Sequence, residues 1–209
     1  VLFVEAPRSA NQLAAVTKAL GTTRPLLANM VEGGRTPILP AERLASLGYA
    51  IAIYPAVGFL AAAAALRARD EGGPRIAFQL LNHPPLDDRQ RSWSARTFTD
   101  TVFMTRDKVA ASWRHYLGGR PASAYAAPAR AEELSGLPPT YLATAEFDPN
   151  RDEALEFGIR LLQAGVSVEL HQWPGTFHGS QVILGADVSQ RQLAELGRGT
   201  VGDDLAFFT

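Results

Sequence analysis

Residues Thr140–Trp173 read TYLATAEFDPNRDEALEFGIRLLQAGVSVELHQW, and this stretch decides the fold. An apolar run of strand length, "TYLATAEF", is followed by a helical pattern from about Arg151 to Ala164 that ends at Gly165. A second apolar run, "VSVELHQW", comes next. Strand, helix and strand in that order make one βα crossover of a parallel sheet. The same alternation continues toward the N-terminus. "VLFVEA" predicts the first strand, and Ser9 opens the capping-box pattern "SANQ" ahead of Leu13, Val16 and Leu20 at helical spacing. "PLLANM" is the second strand, followed by the Gly-rich "VEGGRTP" and a short helix "AERLASL" that ends at Gly48. "YAIAIYP" is the third strand, "LAAAAALRARDE" a helix closed by Gly72 and Gly73, and "RIAFQLL" the fourth strand. From "NHPPLDDRQRSW" through "RDKVAASWRHYLGG" the pattern is irregular and helical. A last helix begins at Ser189, although Gly197, Gly199 and Gly202 each weaken it by about 1 kcal/mol relative to alanine. The expectation is an α/β fold: one domain over residues 1–209 with a mostly parallel sheet of about six strands in sequential order.

The bulk composition narrows the function. With 46% hydrophobic and 20% charged residues, the 209-residue chain is ordinary globular protein. A net charge of −1 gives no electrostatic footing for nucleic acid or an anionic membrane. There is no cysteine, which removes disulfides, thiolate metal sites and cysteine nucleophiles. No apolar run reaches the roughly 18 residues of a membrane span, and the apolar opening at Val1 lacks the basic region of a signal peptide. These features predict a cytoplasmic protein with no cofactor and no metal, and a chain whose beginning looks lost. The crossovers of a sequential six-stranded sheet leave much of one face bare. Covering several hundred Å² at about 25 cal/mol per Å² favours a homodimer or higher homo-oligomer.

Two residues point to chemistry. Asp148 follows the fifth strand and His178 follows the sixth by a short loop. In a parallel sheet the C-terminal ends of neighbouring strands share one edge, about 4.8 Å apart. A carboxylate there can orient an imidazole and stabilise its charged form, the supporting role in acyl transfer. An aspartate before Pro149 and a helix is equally the pattern of a helix cap, and a histidine beside a glycine is often plain loop. Both readings stand on spacing alone.

From about Leu60 onward the chain resembles the hormone-sensitive-lipase-like esterases of the α/β-hydrolase family. The resemblance lies in "ALRARDEGGPRIAFQLL", "LDDR", "SGLPPTYLATAEFDPNRDE" and "AGVSVELHQWPGTFHGS". It implies a carboxylic ester hydrolase acting on a small ester, with Asp148 as the acid and His178 as the base of a catalytic triad. The family's nucleophile sits in a G-D-S-A-G-G elbow, and aligning back from "LAAAAALRARD" sets the serine position on Pro55. Proline has no hydroxyl, and the stretch that would supply oxyanion donors is absent as well. The resemblance therefore implies an incomplete triad and impaired or absent activity. Ser180, two residues beyond the histidine, is the nearest substitute in sequence.

Residues 1–60 resemble a different family, the isocitrate lyase/phosphoenolpyruvate mutase barrels. "NMVEGGRTP" followed by "LGYAIAIYP" carries the likeness. It implies that Glu5 and Asn29, at the ends of their strands, match residues of that family's substrate site. The Mg²⁺ ligands of those enzymes lie on earlier strands, so Glu5, Asn29 and Glu32 are expected to be remnants without a metal. The whole reads as a chimera, lyase-like units over 1–60 continued by a hydrolase-like half over 61–209. A non-catalytic folded chimera and a Mg²⁺-dependent lyase of small 2-oxo or hydroxy acids are the alternatives to the esterase reading.

Overall fold

A computed structural model describes residues 2–3, 7–20, 26–29, 35–37, 39, 41–49, 51–53, 58–73 and 75–201. The chain is α/β with parallel strands, and it divides into two compact units, 1–57 and 58–209.

In the first unit β1 (Leu2–Phe3), β2 (Leu26–Asn29) and β3 (Ile51–Ile53) pair in parallel in that order, with Leu2 opposite Leu26 and Leu27 opposite Ile51. Helix α1 (Ala10–Leu20) starts where the capping pattern places it: Ser9 Oγ accepts from the Gln12 amide at 3.2 Å. Leu13 on α1 and Leu44 on α2 (Ala41–Ser46) close over Leu26, Ala28 and Tyr49 to form this unit's core. Gly48, at φ +93°, ends the α2 turn in a conformation that costs a side chain dearly.

The second unit carries β4 (Gln79–Asn82), β5 (Thr140–Phe147) and β6 (Val168–Phe177), again parallel and in sequence order. Gln79 lies opposite Thr140, and Thr140 opposite Val168. The central strand β5 is buried from Thr140 to Ala145, as a parallel strand covered on both faces must be. Around the sheet lie α3 (Gly58–Asp70), α4 (Trp93–Thr97), α5 (Arg106–Leu117), α6 (Arg151–Gln163) and α7 (Asp187–Val201). Helix α6 turns Ala154, Phe157, Gly158 and Leu161 inward at helical spacing. It ends through Ala164 at Gly165, whose φ is +78°.

Three expectations change. Among the described residues the six strands form two three-stranded sheets, each in sequence order, in place of the one continuous sheet expected. Helix α3 packs against β4 and the short turn Pro128–Arg130 and belongs to the second unit. The fourth strand begins at Gln79, not at Arg75. Its partner strand is preceded by Pro138 and Pro139, which have no amide hydrogen to extend the ladder, and the Gln79 amide pairs with the Pro139 carbonyl at 2.9 Å. The last helix runs to Val201 despite its glycines. Val188 and Leu196 on it pack against Tyr141, Ala143 and Trp173, and such tertiary burial outweighs intrinsic propensity. No helix among the described residues is long and apolar enough to cross a membrane.

The close approach of α6 to β6 tests the packing. A Cβ on Gly158 would lie 2.5 Å from Leu170 Cδ1. Gly158→Val is expected to destabilise the second unit by about 1–3 kcal/mol, the usual cost of overpacking, measured by urea unfolding followed through tryptophan fluorescence.

Candidate active site

Because β5 and β6 are adjacent and parallel, Asp148 and His178 emerge on the same edge, each one residue past its strand. The two side chains meet: His178 Nδ1 lies 2.7 Å from Asp148 Oδ2. A carboxylate can only accept, so the ring donates from Nδ1 and leaves Nε2 uncommitted. Asp148 is buried at 1% exposure, while the His178 side chain keeps 18%. The orienting carboxylate is thus shielded and the imidazole reachable.

The aspartate also does what the helix-cap reading asks of it. Its Oδ1 accepts from the Asn150 amide at 2.9 Å, and its carbonyl accepts from the Arg151 amide at 3.0 Å, which turns the chain into α6. The cap residue itself is Asn150. One carboxylate therefore builds the turn with one oxygen and holds the histidine with the other. Further bonds fix this edge. Arg151 donates to the Glu146 carbonyl at 2.9 Å, and the Gly175 amide donates to Glu146 Oε2 at 2.6 Å, tying β6 to β5 across a register break at Ala145/Phe147. Ser94 Oγ donates to the Pro149 carbonyl at 2.9 Å.

Of the other residues singled out from sequence, Glu5, Glu32 and Pro55 lie outside the described residues. Asn29 is the last residue of β2, in the first unit. Ser180 is buried, and its Oγ has no hydrogen-bond partner among the described residues, so it does not serve His178 as a nucleophile in this arrangement.

Three residues join the site that the sequence reading missed. His83, one residue past β4, stands on the same edge and is buried at 3% exposure. Its Nδ1 accepts from the Gly179 amide at 3.1 Å, and its ring centroid is 5.5 Å from that of His178. Phe103 stacks on the His178 ring, with centroids 6.3 Å apart and planes 13° from parallel. The signal for His83 was its place: it lies two residues past the apolar run ending at Leu81, directly after β4, as Asp148 directly follows β5. The third is Glu153, buried in the first turn of α6. Its Oε1 accepts from the amides of Leu86 at 2.6 Å and Asp87 at 3.0 Å, and its Oε2 is buried without a partner among the described residues.

His83, Asp148 and His178 each offer a donor atom within 4.8 Å of the others, a cluster of the kind that can take a metal ion. The hydrogen bonds in place oppose that use. A metal-bound histidine normally donates from its second nitrogen, whereas His83 Nδ1 accepts, which keeps the neutral ring's proton on Nε2.

Burial moves two of these groups in opposite senses. It pushes Glu153 up to about 8, with the charges of Asp87 and Asp148 adding to the rise and the two backbone amides opposing it. It pushes His83 down to about 4; the His178 charge adds to the fall and Asp148 opposes it. Glu153 thus contributes stability that is complete below its unfolded value near 4.5 and is lost as pH rises through about 8. His83 contributes stability that is present above 6.5 and is lost as pH falls through about 4. Stability of the second unit is expected to fall by about 2 kcal/mol between pH 6.5 and 8. Glu153→Gln, which mimics the neutral acid, should abolish that fall in urea unfolding curves taken across the interval.

The profile of the alpha/beta hydrolase fold family matches residues 56–182. The chain is 42% identical over 133 residues to esterase LipI of Mycobacterium tuberculosis, which is 62% of this chain and 42% of that one. It is 37% identical over 176 residues to carboxylesterase NlhH of the same species, 75% of this chain and 54% of that one. The chain thus spans about half the length of the curated relatives it matches. Among solved structures it is similar to a bacterial heroin esterase (TM-score 0.66, 41% identity, 89% of this chain and 55% of that one). Esterase LipW of Mycobacterium marinum is similar as well (TM-score 0.67, 32% identity, 94% and 55%). A shorter match, 40% identical over 67 residues, is to 2,3-dimethylmalate lyase of Eubacterium barkeri and covers 32% of this chain and 22% of that enzyme.

Proposed function

We propose, because this chain belongs to the alpha/beta hydrolase fold family, that it carries the acid–base half of a carboxylic ester hydrolase acting on a small ester. Asp148 holds the imidazole of His178 by Nδ1 and balances the charge the ring gains. Nε2 takes a proton from the attacking group and returns it to the leaving alcohol. The observation that carries this reading is the 2.7 Å bond between Asp148 and His178 at the ends of adjacent strands, in a chain similar to named esterases.

In this chain the pair is impaired. The resemblance sets Pro55 at the position of the nucleophilic serine, and among the described residues no hydroxyl is bonded to His178. Loss of the nucleophile costs about 10⁶ in kcat in serine hydrolases, and His178 is left to activate water. Residues 1–60 read as lyase-barrel-like βα units, a proposal supported by the compact unit 1–57 and by the 67-residue likeness to a lyase. Glu5 and Asn29 are then remnants of another enzyme's substrate site.

Hydrolysis of p-nitrophenyl acetate at neutral pH tests the reading. The expected rate lies at least about 10³-fold below a typical kcat of about 10 s⁻¹, and His178→Ala should drop it to the buffer background. Turnover that is unchanged in His178→Ala overturns the role of the pair; a full-speed kcat in the parent chain overturns the impairment.

A further inference from the structure

We propose that His83 is a positioning residue for His178: by holding the Gly179 amide, its imidazole fixes the backbone that aims the His178 ring at Asp148. The proposal rests on the acid–base reading of the Asp148–His178 pair. The amide it holds belongs to the peptide group that joins His178 to Gly179. The 3.1 Å bond to His83 Nδ1 therefore restrains the ψ torsion of His178 itself.

The clamp is well anchored on its own side. The His83 amide donates to the Ala143 carbonyl of β5 at 2.8 Å, and its φ of +49° is a left-handed conformation uncommon outside glycine. Such backbone persists where the surroundings over-determine it, and it clusters at functional sites. Pro84 and Pro85 follow directly and stiffen the exit. The ring's other nitrogen, Nε2, is buried and unpartnered among the described residues, so the orientation seen is the one that serves Gly179.

Gly179 needs such a hold. It turns the chain in the left-handed region, at φ +78°, between the end of β6 and the short helical turn Ser180–Val182. Beyond it the chain is tied again where Ser189 Oγ donates to the Ser180 carbonyl at 2.9 Å. On the carbonyl side Gly179 accepts from the Val182 amide at 3.2 Å, and among the described residues His83 is the partner that holds its amide side, the side joined to His178. The clamp also requires a neutral ring, because a protonated imidazole has no acceptor. Burial supplies that condition, with the charged groups facing His83, Asp148 and His178, pulling in opposite senses.

The test is hydrogen exchange and imidazole NMR on the whole chain at pH 7, in His83→Phe and His83→Asn. Phenylalanine keeps the ring and removes the acceptor; asparagine puts an amide oxygen near the place of Nδ1. In His83→Phe the Gly179 amide should exchange roughly tenfold faster, the worth of one ordinary hydrogen bond, and the His178 Nδ1–H signal should broaden. In His83→Asn both should stay within about twofold of the parent. Unchanged Gly179 exchange in His83→Phe overturns the proposal, as does equal loss in both variants with the fold intact by circular dichroism. If His83→Phe does not fold, the parent chain decides. On acidification the Gly179 amide resonance should move with the same midpoint as the His83 ring, near pH 4, and a Gly179 resonance that ignores that midpoint overturns the clamp. No arm of the experiment uses turnover, so failure of the esterase reading is seen separately.

Discussion

The site depends on parallel strands that end side by side. Once β4, β5 and β6 pair in sequence order, the residue after each strand is delivered to one edge, and those residues are His83, Asp148 and His178. The hydrogen bond between Asp148 and His178 follows from the register, since Phe147 and Phe177 lie opposite each other in the ladder. A break in that pairing would separate the two side chains however well each was conserved in kind. The register break at Ala145/Phe147, bridged by Glu146 to the Gly175 amide, is therefore part of the chemistry as much as of the fold.

Helix α6 concentrates several of these demands in its first two turns. Asp148 and Asn150 lead into it, Glu153 on its inner face supports the turn at Leu86 and Asp87, and Gly158 lets it approach β6 closely. A neutral carboxylic acid suits the place of Glu153, because one oxygen is fully used and the other meets no donor among the described residues.

The sequence made part of this legible. Asp148 and His178 each follow an apolar run directly, in a strand–helix–strand unit, and parallel pairing needs nothing more to bring them together. The limits were equally physical. The alanines of α3 present no distinct apolar face, so the pattern could not say which sheet the helix would cover. Pro174 and Gly175 look like the end of a strand, yet β6 runs on to Phe177, since Glu146 and Thr176 supply the bonds across the irregularity. His83 and Glu153 take their meaning from partners 96 and 66 to 67 residues away, and no local spacing encodes that. The lyase-like residues fared differently: Glu5 and Glu32 lie outside the described residues, and Asn29 belongs to the other compact unit.

The docking of α7 has a consequence of its own. Val188 and Leu196 on this helix shield Tyr141, Ala143 and Trp173, and Arg191 lies over the Trp173 ring at 5.5 Å. The segment leading into it exposes Val182, Ile183 and Leu184, an inviting place for a protease to cut. A nick there would uncap an aromatic sheet face, and a chain that loses its last helix becomes a self-adhesive one, prone to clump before it unfolds.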